Sequence, residues 1–494
     1  MSAPNRFPKL TPEEAAELIG HGATIGFSGF TPAGAAKLTP LALAARARRL
    51  HAEGKPFKVR VLTGASTGTS IDDALAEADA ISWRAPYQSS KALRNRINRQ
   101  ETEFVDMHLS HVPQMVEFGF FGKIDFAIVE AVDVAPDGRV YLSTSVGASP
   151  SYLKHAEKVI IEVNRHHAKR LMEMHDIKIL PAPPHRNPIP IDHPLAKIGT
   201  PFAACDPDKI VGIVETDESD GVAPFDPVDE VSEKIAGHVV KFLLDELAAG
   251  RIPPEFLPMQ SGVGNVANAV MAGLGKSDVP PFYMYSEVFQ DALVDLMEQG
   301  RLLGASSTSL TLSEPQLKRV YDNMRFFAPR IVLRPQELSN NPGVVRRLGV
   351  IAINTVLEMD IFGNANSTHV AGTQLMNGVG GSGDFIRNSY LSILVAPSIA
   401  KAGKISTVVP MVSHVDHNEH SVQVLVTEQG LADLRGLGPM ERARRIIDKC
   451  AHPSYRPYLH DYIHSATLGH VRHDLVRCYE LHQNLLKTGQ MLPK

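Results

Sequence analysis

The stretch Phe282-Tyr283-Met284-Tyr285-Ser286-Glu287-Val288-Phe289-Gln290-Asp291-Ala292-Leu293-Val294-Asp295-Leu296-Met297-Glu298-Gln299 holds the organisation of the chain in miniature. Phe282–Ser286 reads as a short strand, and Val288–Gln299 reads as an amphipathic helix. A strand that runs straight into a helix is the repeating unit of a sheet covered by helices, and such proteins place ligands at the carboxyl ends of their strands. One carboxylate, Glu287, stands at the junction. It is either a functional group at a sheet edge or a first-turn acid behind a Ser286 N-cap, where the helix dipole favours negative charge.

The same rhythm extends outward in both directions. Towards the N-terminus, Ala23–Phe30, Phe57–Thr63, Asp125–Val132 and Lys158–Val163 read as strands, with helices at Leu41–Glu53 and Ser149–Glu157 between them. Thr11-Pro12-Glu13-Glu14 is a capping box with Pro at the first helical position. Towards the C-terminus, strands are expected at Arg330–Leu333, Val350–Leu357, Leu391–Val395, Ile405–Pro410 and Val422–Val426, and helices at Glu441–Cys450 and Tyr455–Ala466. The fold class is therefore α/β, with mostly parallel sheets. A Pro-rich run from Pro181 to Pro194 breaks the pattern, and an acidic, turn-rich stretch, Thr216–Asp229, breaks it again. The second break marks the expected domain boundary, giving domains 1–225 and 226–494, with a long helix Val228–Ala249 leading into the second.

With 494 residues the chain is too long for one core, which agrees with two large domains. A net charge of -4 offers no basic footprint for nucleic acid or anionic membranes. No apolar run reaches the 18 or so residues of a membrane span. Met1–Leu10 lacks the apolar core of a signal peptide. Three scattered cysteines, Cys205, Cys450 and Cys478, suit core packing in a reducing compartment better than a disulfide framework. A cytoplasmic protein is expected.

Glycine clusters twice in the second half. Gly262-Val263-Gly264-Asn265 opens a helix, Val266–Ala272, and Gly378-Val379-Gly380-Gly381-Ser382-Gly383-Asp384 lies between two strands. Such loops let backbone N–H groups converge on an oxygen or phosphate, or simply supply tight turns. The second loop matches G-x-G-x-x-G but follows no convincing first strand of a βαβ unit. Gly275-Lys276-Ser277 fails as a P-loop because Val270 stands where the first glycine belongs. His414, His417 and His420 invite a metal site, yet they fall in an expected hairpin loop, where three-residue spacing does not align the rings. Glu428, in Thr427-Glu428-Gln429-Gly430, closes the next strand with a carboxylate.

Gly262–Val266, Tyr285-Ser286-Glu287-Val288, Ser339-Asn340-Asn341-Pro342 and Gly378–Phe385 together resemble the acetyl-CoA hydrolase/transferase family. The resemblance covers nearly the whole chain. Ser28-Gly29-Phe30-Thr31-Pro32-Ala33-Gly34, Trp83-Arg84-Ala85-Pro86-Tyr87 and Pro335-Gln336-Glu337-Leu338-Ser339-Asn340-Asn341-Pro342 look closest to the branch that exchanges CoA between propionyl-CoA and succinate.

The resemblance implies two related open α/β domains with the active site in the cleft between them, in a homodimer. It places the nucleophile at Glu287 and an auxiliary amide at Asn340. CoA and oxyanion contacts are implied at Gly262, Val263, Gly264, Asn265, Val266, Leu357, Asn377, Gly381 and Lys401, and an acid pocket at Ser66, Ser89 and Glu428. Ser89 replaces a threonine of the acetate-using branch, and Glu215–Pro224 lacks an arginine that this branch carries.

The implied activity is class I CoA transfer between a short acyl-CoA, propionyl or acetyl, and succinate. It proceeds through a glutamyl-CoA thioester, with no metal and no cofactor beyond CoA itself. Three other readings stay open: an acyl-CoA hydrolase of the same family, a metallohydrolase built on the histidine loop, and a CoA-binding sensor without turnover.

Overall fold

The computed structural model describes residues 6–223, 227–466 and 469–492, so the expected boundary between residues 225 and 226 lies outside the described residues. The chain forms two compact units. The first comprises Met1–Pro224, Met284–Met297 and Leu303–Val344; the second comprises Phe225–Tyr283, Glu298–Leu302 and Val345–Lys494.

In the first unit a twisted sheet is built around Thr24–Phe27, which pairs in parallel with Val59–Leu62 on one side and Phe126–Val134 on the other. Ile81–Ala85 and Glu103–Phe104 continue the parallel order beyond Val59–Leu62, and Lys158–Asn164 and Ile210–Thr216 continue it beyond Phe126–Val134. The central strands Thr24–Phe27, Phe126–Val134 and Lys158–Asn164 are buried along most of their length, which explains their largely apolar sequences. Helices Pro12–Glu17 and Leu38–Ala52 bury Ala15, Ala16, Leu43, Ala44 and Ala47 in a core with Ile25, Phe27, Val59 and Val61. The Thr11 capping box forms as its sequence requires.

In the second unit, Met259–Ser261, Ile351–Thr355, Leu391–Val395 and Val424–Thr427 lie side by side in parallel. Gly430–Asp433 returns antiparallel to the last of them. Glu230–Ala248, one residue or two inside its expected bounds, packs on Asn265–Lys276 beside this sheet. The three cysteines are buried thiols. Among the described residues no helix is long and apolar enough to cross a membrane.

Candidate active site

Glu287 stands where Phe282–Tyr285 ends, but no helix begins behind it. Val288–Gln290 forms a short strand parallel to Ser309–Thr311, and the helix starts only at Asp291. The expected helix from Val288 thus begins three residues late, because Ser309–Thr311 offers Val288–Gln290 a ladder that local periodicity cannot announce. The backbone is held firmly at this point. Thr308 and Ser309 donate their N–H groups to the Glu287 carbonyl at 2.8 and 3.3 Å, and Ser286 N–H reaches Ser306 O at 2.9 Å. The Glu287 side chain is half-buried, and with the helix starting only at Asp291 its carboxylate is not a first-turn acid.

Asn340 donates its Nδ2–H to Glu287 Oε1 at 2.5 Å. Ser339 Oγ donates to Asn340 Oδ1 at 2.8 Å, which fixes the amide with its NH2 towards Glu287. Asn340 is fully buried and caps the short helix Gln336–Ser339. That helix is tied down on several sides: Tyr285 OH donates to Leu338 O at 2.5 Å, and Gln336 Nε2 donates to Leu109 O at 2.7 Å. Below it, buried Arg334 pairs with Asp176 and donates to Ser306 Oγ at 2.8 Å. An amide so constrained presents a ready-made donor to one carboxylate oxygen.

Val288 packs with Phe30, Ala65 and Leu109, and Tyr87 lies against the same cluster. Ser66 and Ser89 follow these residues on loops at the carboxyl ends of Val59–Leu62 and Ile81–Ala85. Ser66 is buried and Ser89 exposed. The Ser66 loop is braced by a fully buried ion pair: Arg84 Nε donates to Asp72 Oδ1 at 2.8 Å and Arg84 Nη2 to Ala65 O at 3.0 Å, while Thr67 N–H donates to Asp72 Oδ2 at 3.1 Å.

In the second unit, the carboxyl ends of four adjacent parallel strands carry Gly262–Gly264, Leu357, Ser398 and Glu428 in sheet order. Gly264, at φ 121 and ψ 179, has a conformation close to glycine-only, and it caps the helix Asn265–Lys276. The first-turn N–H groups of that helix, including those of Asn265 and Val266, start from this loop. Val263 is 47% exposed and Leu357 38%, so two apolar side chains project outward at the sheet edge. Asn377 is half-buried, just ahead of the glycine loop, and Gly381 caps Ser382–Ile386. Lys401 is exposed in the turn between Ile399–Ala400 and Ile405–Ser406, at φ 47.

Glu428 accepts Ser398 N–H at 2.8 Å, the Ser398 hydroxyl, and Gln429 Nε2–H at 2.9 Å. Burial, the largest single influence, pushes its pKa up, but the hydrogen bonds together outweigh it and the net direction is down. Glu428 is therefore a charged, oriented carboxylate. Ser398 stands in none of the quoted motifs, and Ser339 stands in one without a stated role; their hydrogen bonds to Glu428 and Asn340 reveal what each holds.

The three histidines of the loop diverge. His414 stacks on His369 with centroids 4.1 Å apart, the His420 side chain is 81% exposed, and His417 is buried with Nε2 3.1 Å from Ser382 Oγ. Among the described residues the group that clusters like a metal site is Glu130, His167 and Asp220 in the first unit. Lys37 Nζ lies 2.7 Å from Glu130 and 3.0 Å from Asp220, so an ammonium already takes the place a cation would fill.

Comparison with known proteins fits this geometry. The fold is that of a CoA-transferase: the 4-hydroxybutyrate CoA-transferase of Porphyromonas gingivalis superposes with a TM-score of 0.63 at 20% identity, covering 93% of this chain and 98% of that one. The N-terminal domain of the acetyl-CoA hydrolase/transferase group matches residues 2–215, and its C-terminal domain matches residues 317–463. The chain is 58% identical to the propanoyl-CoA:succinate CoA transferase of Escherichia coli over 99% of both sequences. It is 42% identical to the acetyl-CoA hydrolase of Schizosaccharomyces pombe, over 98% of this chain and 96% of that one. The protein belongs to the acetyl-CoA hydrolase/transferase family.

Proposed function

We propose that this protein is a CoA-transferase that moves CoA between a short acyl-CoA, propionyl or acetyl, and succinate, with Glu287 as the covalent carrier. The single observation that carries the reading is the half-buried Glu287 carboxylate at a strand end, held by an amide that is itself fixed. Its likeness to the propanoyl-CoA:succinate enzyme supports the choice of substrates.

The chemistry follows from these groups. The Glu287 carboxylate attacks the thioester carbonyl of acyl-CoA; the C–S bond breaks, leaving an acyl–glutamyl anhydride and CoA thiolate. The thiolate attacks the Glu287 carbonyl, and the free acid departs as its carboxylate, leaving a glutamyl-CoA thioester. Succinate then runs the two steps in reverse and leaves as succinyl-CoA. Every step passes through a tetrahedral oxyanion, for which the N–H groups of Val263 and Gly381 are our proposed donors. One such donor stabilises by about 2.7–4 kcal/mol. One thioester replaces another, so the reaction asks for no metal, no nucleotide and no cofactor beyond CoA.

Gly262, Gly264, Asn265, Val266, Leu357, Asn377 and Lys401 complete the proposed CoA contacts. Ser66, Ser89 and Glu428 make the acid pocket, where the serine hydroxyls donate and the bonds from Ser398 and Gln429 temper the Glu428 charge. A homodimer working in the cytoplasm belongs to the same reading, supported by the family resemblance.

The test is direct. Incubation with propionyl-CoA alone is expected to load Glu287 with CoA, seen as an intact-mass increase; adding succinate is expected to discharge it as succinyl-CoA with ping-pong kinetics. Acyl-CoA consumed equally fast without any acid, releasing free CoA, would make the protein a hydrolase instead.

A further inference from the structure

His417 is the one member of the histidine loop whose side chain is turned inward, and the proposed chemistry leaves it without a role. It is 4% exposed. Its Nε2 lies 3.1 Å from Ser382 Oγ, and Ser382 Oγ also bonds Val379 O at 2.8 Å. A hydroxyl has one proton to give, and a carbonyl oxygen can only accept, so that proton goes to Val379. The remaining contact needs a donor on the imidazole: His417 carries hydrogen on Nε2 and donates it to Ser382 Oγ. Ser382 thereby links the histidine to the backbone of the glycine loop, one residue after Gly381.

The glycine loop needs such a brace. Gly380 turns at φ 61, and Gly378, Gly380, Gly381 and Gly383 have no side chains of their own with which to lock the path. The helix that follows, Ser382–Ile386, spans barely one turn and orders little beyond itself.

His417, by contrast, is anchored. Its N–H donates to Ala365 O at 3.0 Å and its carbonyl accepts Ala365 N–H at 2.7 Å. The segment before it is pinned as well: Ser413 N–H and Oγ donate to Glu358 Oε1 at 2.7 and 2.6 Å, and Asp416 Oδ2 accepts Ser367 N–H at 2.6 Å. Ala365–Asn366 pairs with Glu358–Asp360, and Asn366 O accepts the N–H of Leu357 at 2.9 Å. One hairpin thus fixes both the Leu357 turn and the histidine that holds the glycine loop.

We propose that His417 is a positioning residue for CoA transfer, acting through Ser382 to hold the Gly378–Gly381 backbone so that the Gly381 N–H meets the oxyanion. The inference rests on the transferase reading above. Its logic is that an oxyanion donor acts only in place, and a misplacement of 1 Å can lower a rate by about 100-fold.

The experiment compares His417→Leu, His417→Gln and Ser382→Ala in the full chain, with His420→Ala as a control on the same loop. In His417→Leu, kcat for succinyl-CoA formation is expected to fall roughly 10- to 100-fold with KM for acyl-CoA held within about twofold. His417→Gln, whose amide N–H reaches the same place, is expected to recover most of the loss. Ser382→Ala is expected to match His417→Leu, and the double variant to fall no further, because both remove one linkage.

Equal kcat in His417→Leu and wild type would overturn the proposal, as would losses that multiply in the double variant, or a Gln variant as impaired as Leu. If His417→Leu does not fold, Ser382→Ala decides alone, since it removes a single hydroxyl. A wild-type protein that forms no CoA adduct sinks the transferase reading and this inference with it; a wild type that turns over beside an unimpaired His417→Leu sinks the inference only.

Discussion

The two units contribute to the proposed chemistry in different materials. In the first, the proposed groups are side chains: Glu287, Asn340 and Ser66, each held by buried neighbours such as Ser339, Tyr285 and the Arg84–Asp72 pair. In the second, they are mostly backbone N–H groups at Gly262–Asn265 and Gly378–Gly381, presented from the carboxyl edge of a parallel sheet and from short caps. Side chains can be deleted one at a time, whereas a backbone donor is lost only when the path of the chain changes. The two regions should therefore answer mutation in opposite ways.

The largest effect tests the first region. Glu287→Ala is expected to lower kcat by at least about 10⁴-fold and to abolish the CoA adduct, while thermal unfolding stays near wild type because the side chain is only half-buried. Asn340→Ala comes next: it removes the donor that orients the nucleophile and is expected to slow transfer by roughly 10²- to 10³-fold, measured as the rate of adduct formation in a single turnover. Asn340→Asp would be no milder, since a second carboxylate at 2.5 Å would repel the first.

The second region should reverse the pattern. Val263→Ala and Asn265→Ala, which leave the backbone alone, are expected to stay within a few-fold of wild type in KM for acyl-CoA. Gly264→Ala adds a single carbon into open space, yet it forces an L-residue into φ 121 at about 1–3 kcal/mol. A clear rise in KM, or a lower Tm, is expected there. Side-chain deletions at Val263 that hurt more than Gly264→Ala would break the comparison.

The smallest effect is a stability profile confined to the first unit. His167 Nε2 lies 3.4 Å from Glu130 and 3.5 Å from Asp220, two carboxylates it shares with Lys37. Burial alone would lower its pKa, but Asp220 and Glu130 prevail and push it up to about 10. A raised histidine stabilises the fold fully below its unfolded value near 6.5 and loses that contribution as pH climbs through about 10. Tm measured from pH 7 to pH 10.5 should fall by a larger margin in the wild type than in His167→Gln. Parallel profiles would mean that the cluster carries no proton of consequence.

Much of this was legible in the sequence, for reasons that particular residues make plain. Strands such as Lys158–Asn164 and Leu391–Val395 declare themselves because burial of most of their residues demands short, predominantly β-branched and aliphatic runs. The Gly262–Asn265 turn reads correctly because glycine before a helix has a local meaning. Val288–Gln290 reads wrongly as helix because its partner, Ser309–Thr311, lies some twenty residues away and pairing at that distance leaves no local trace. The fixing of Asn340 by Ser339, and of the glycine loop by His417, was invisible for a related reason: a serine or histidine says nothing of its hydrogen bonds until the backbone aims it.

The division of the chain has a consequence for how the protein comes into being. The first unit is begun by Met1–Pro224 but takes in Met284–Met297 and Leu303–Val344, the segments that bear Glu287 and Asn340. A ribosome adding about 5–20 residues per second needs several seconds or more to travel from the one stretch to the end of the other. Every strand of the nine-stranded sheet, from Thr24–Phe27 to Ile210–Thr216, is made before that interval begins, whereas the proposed nucleophile is not. Glu287, the proposed nucleophile, is thus synthesised only after the whole of that sheet, and a chain that stalls before Asn340 lacks the amide that holds its carboxylate.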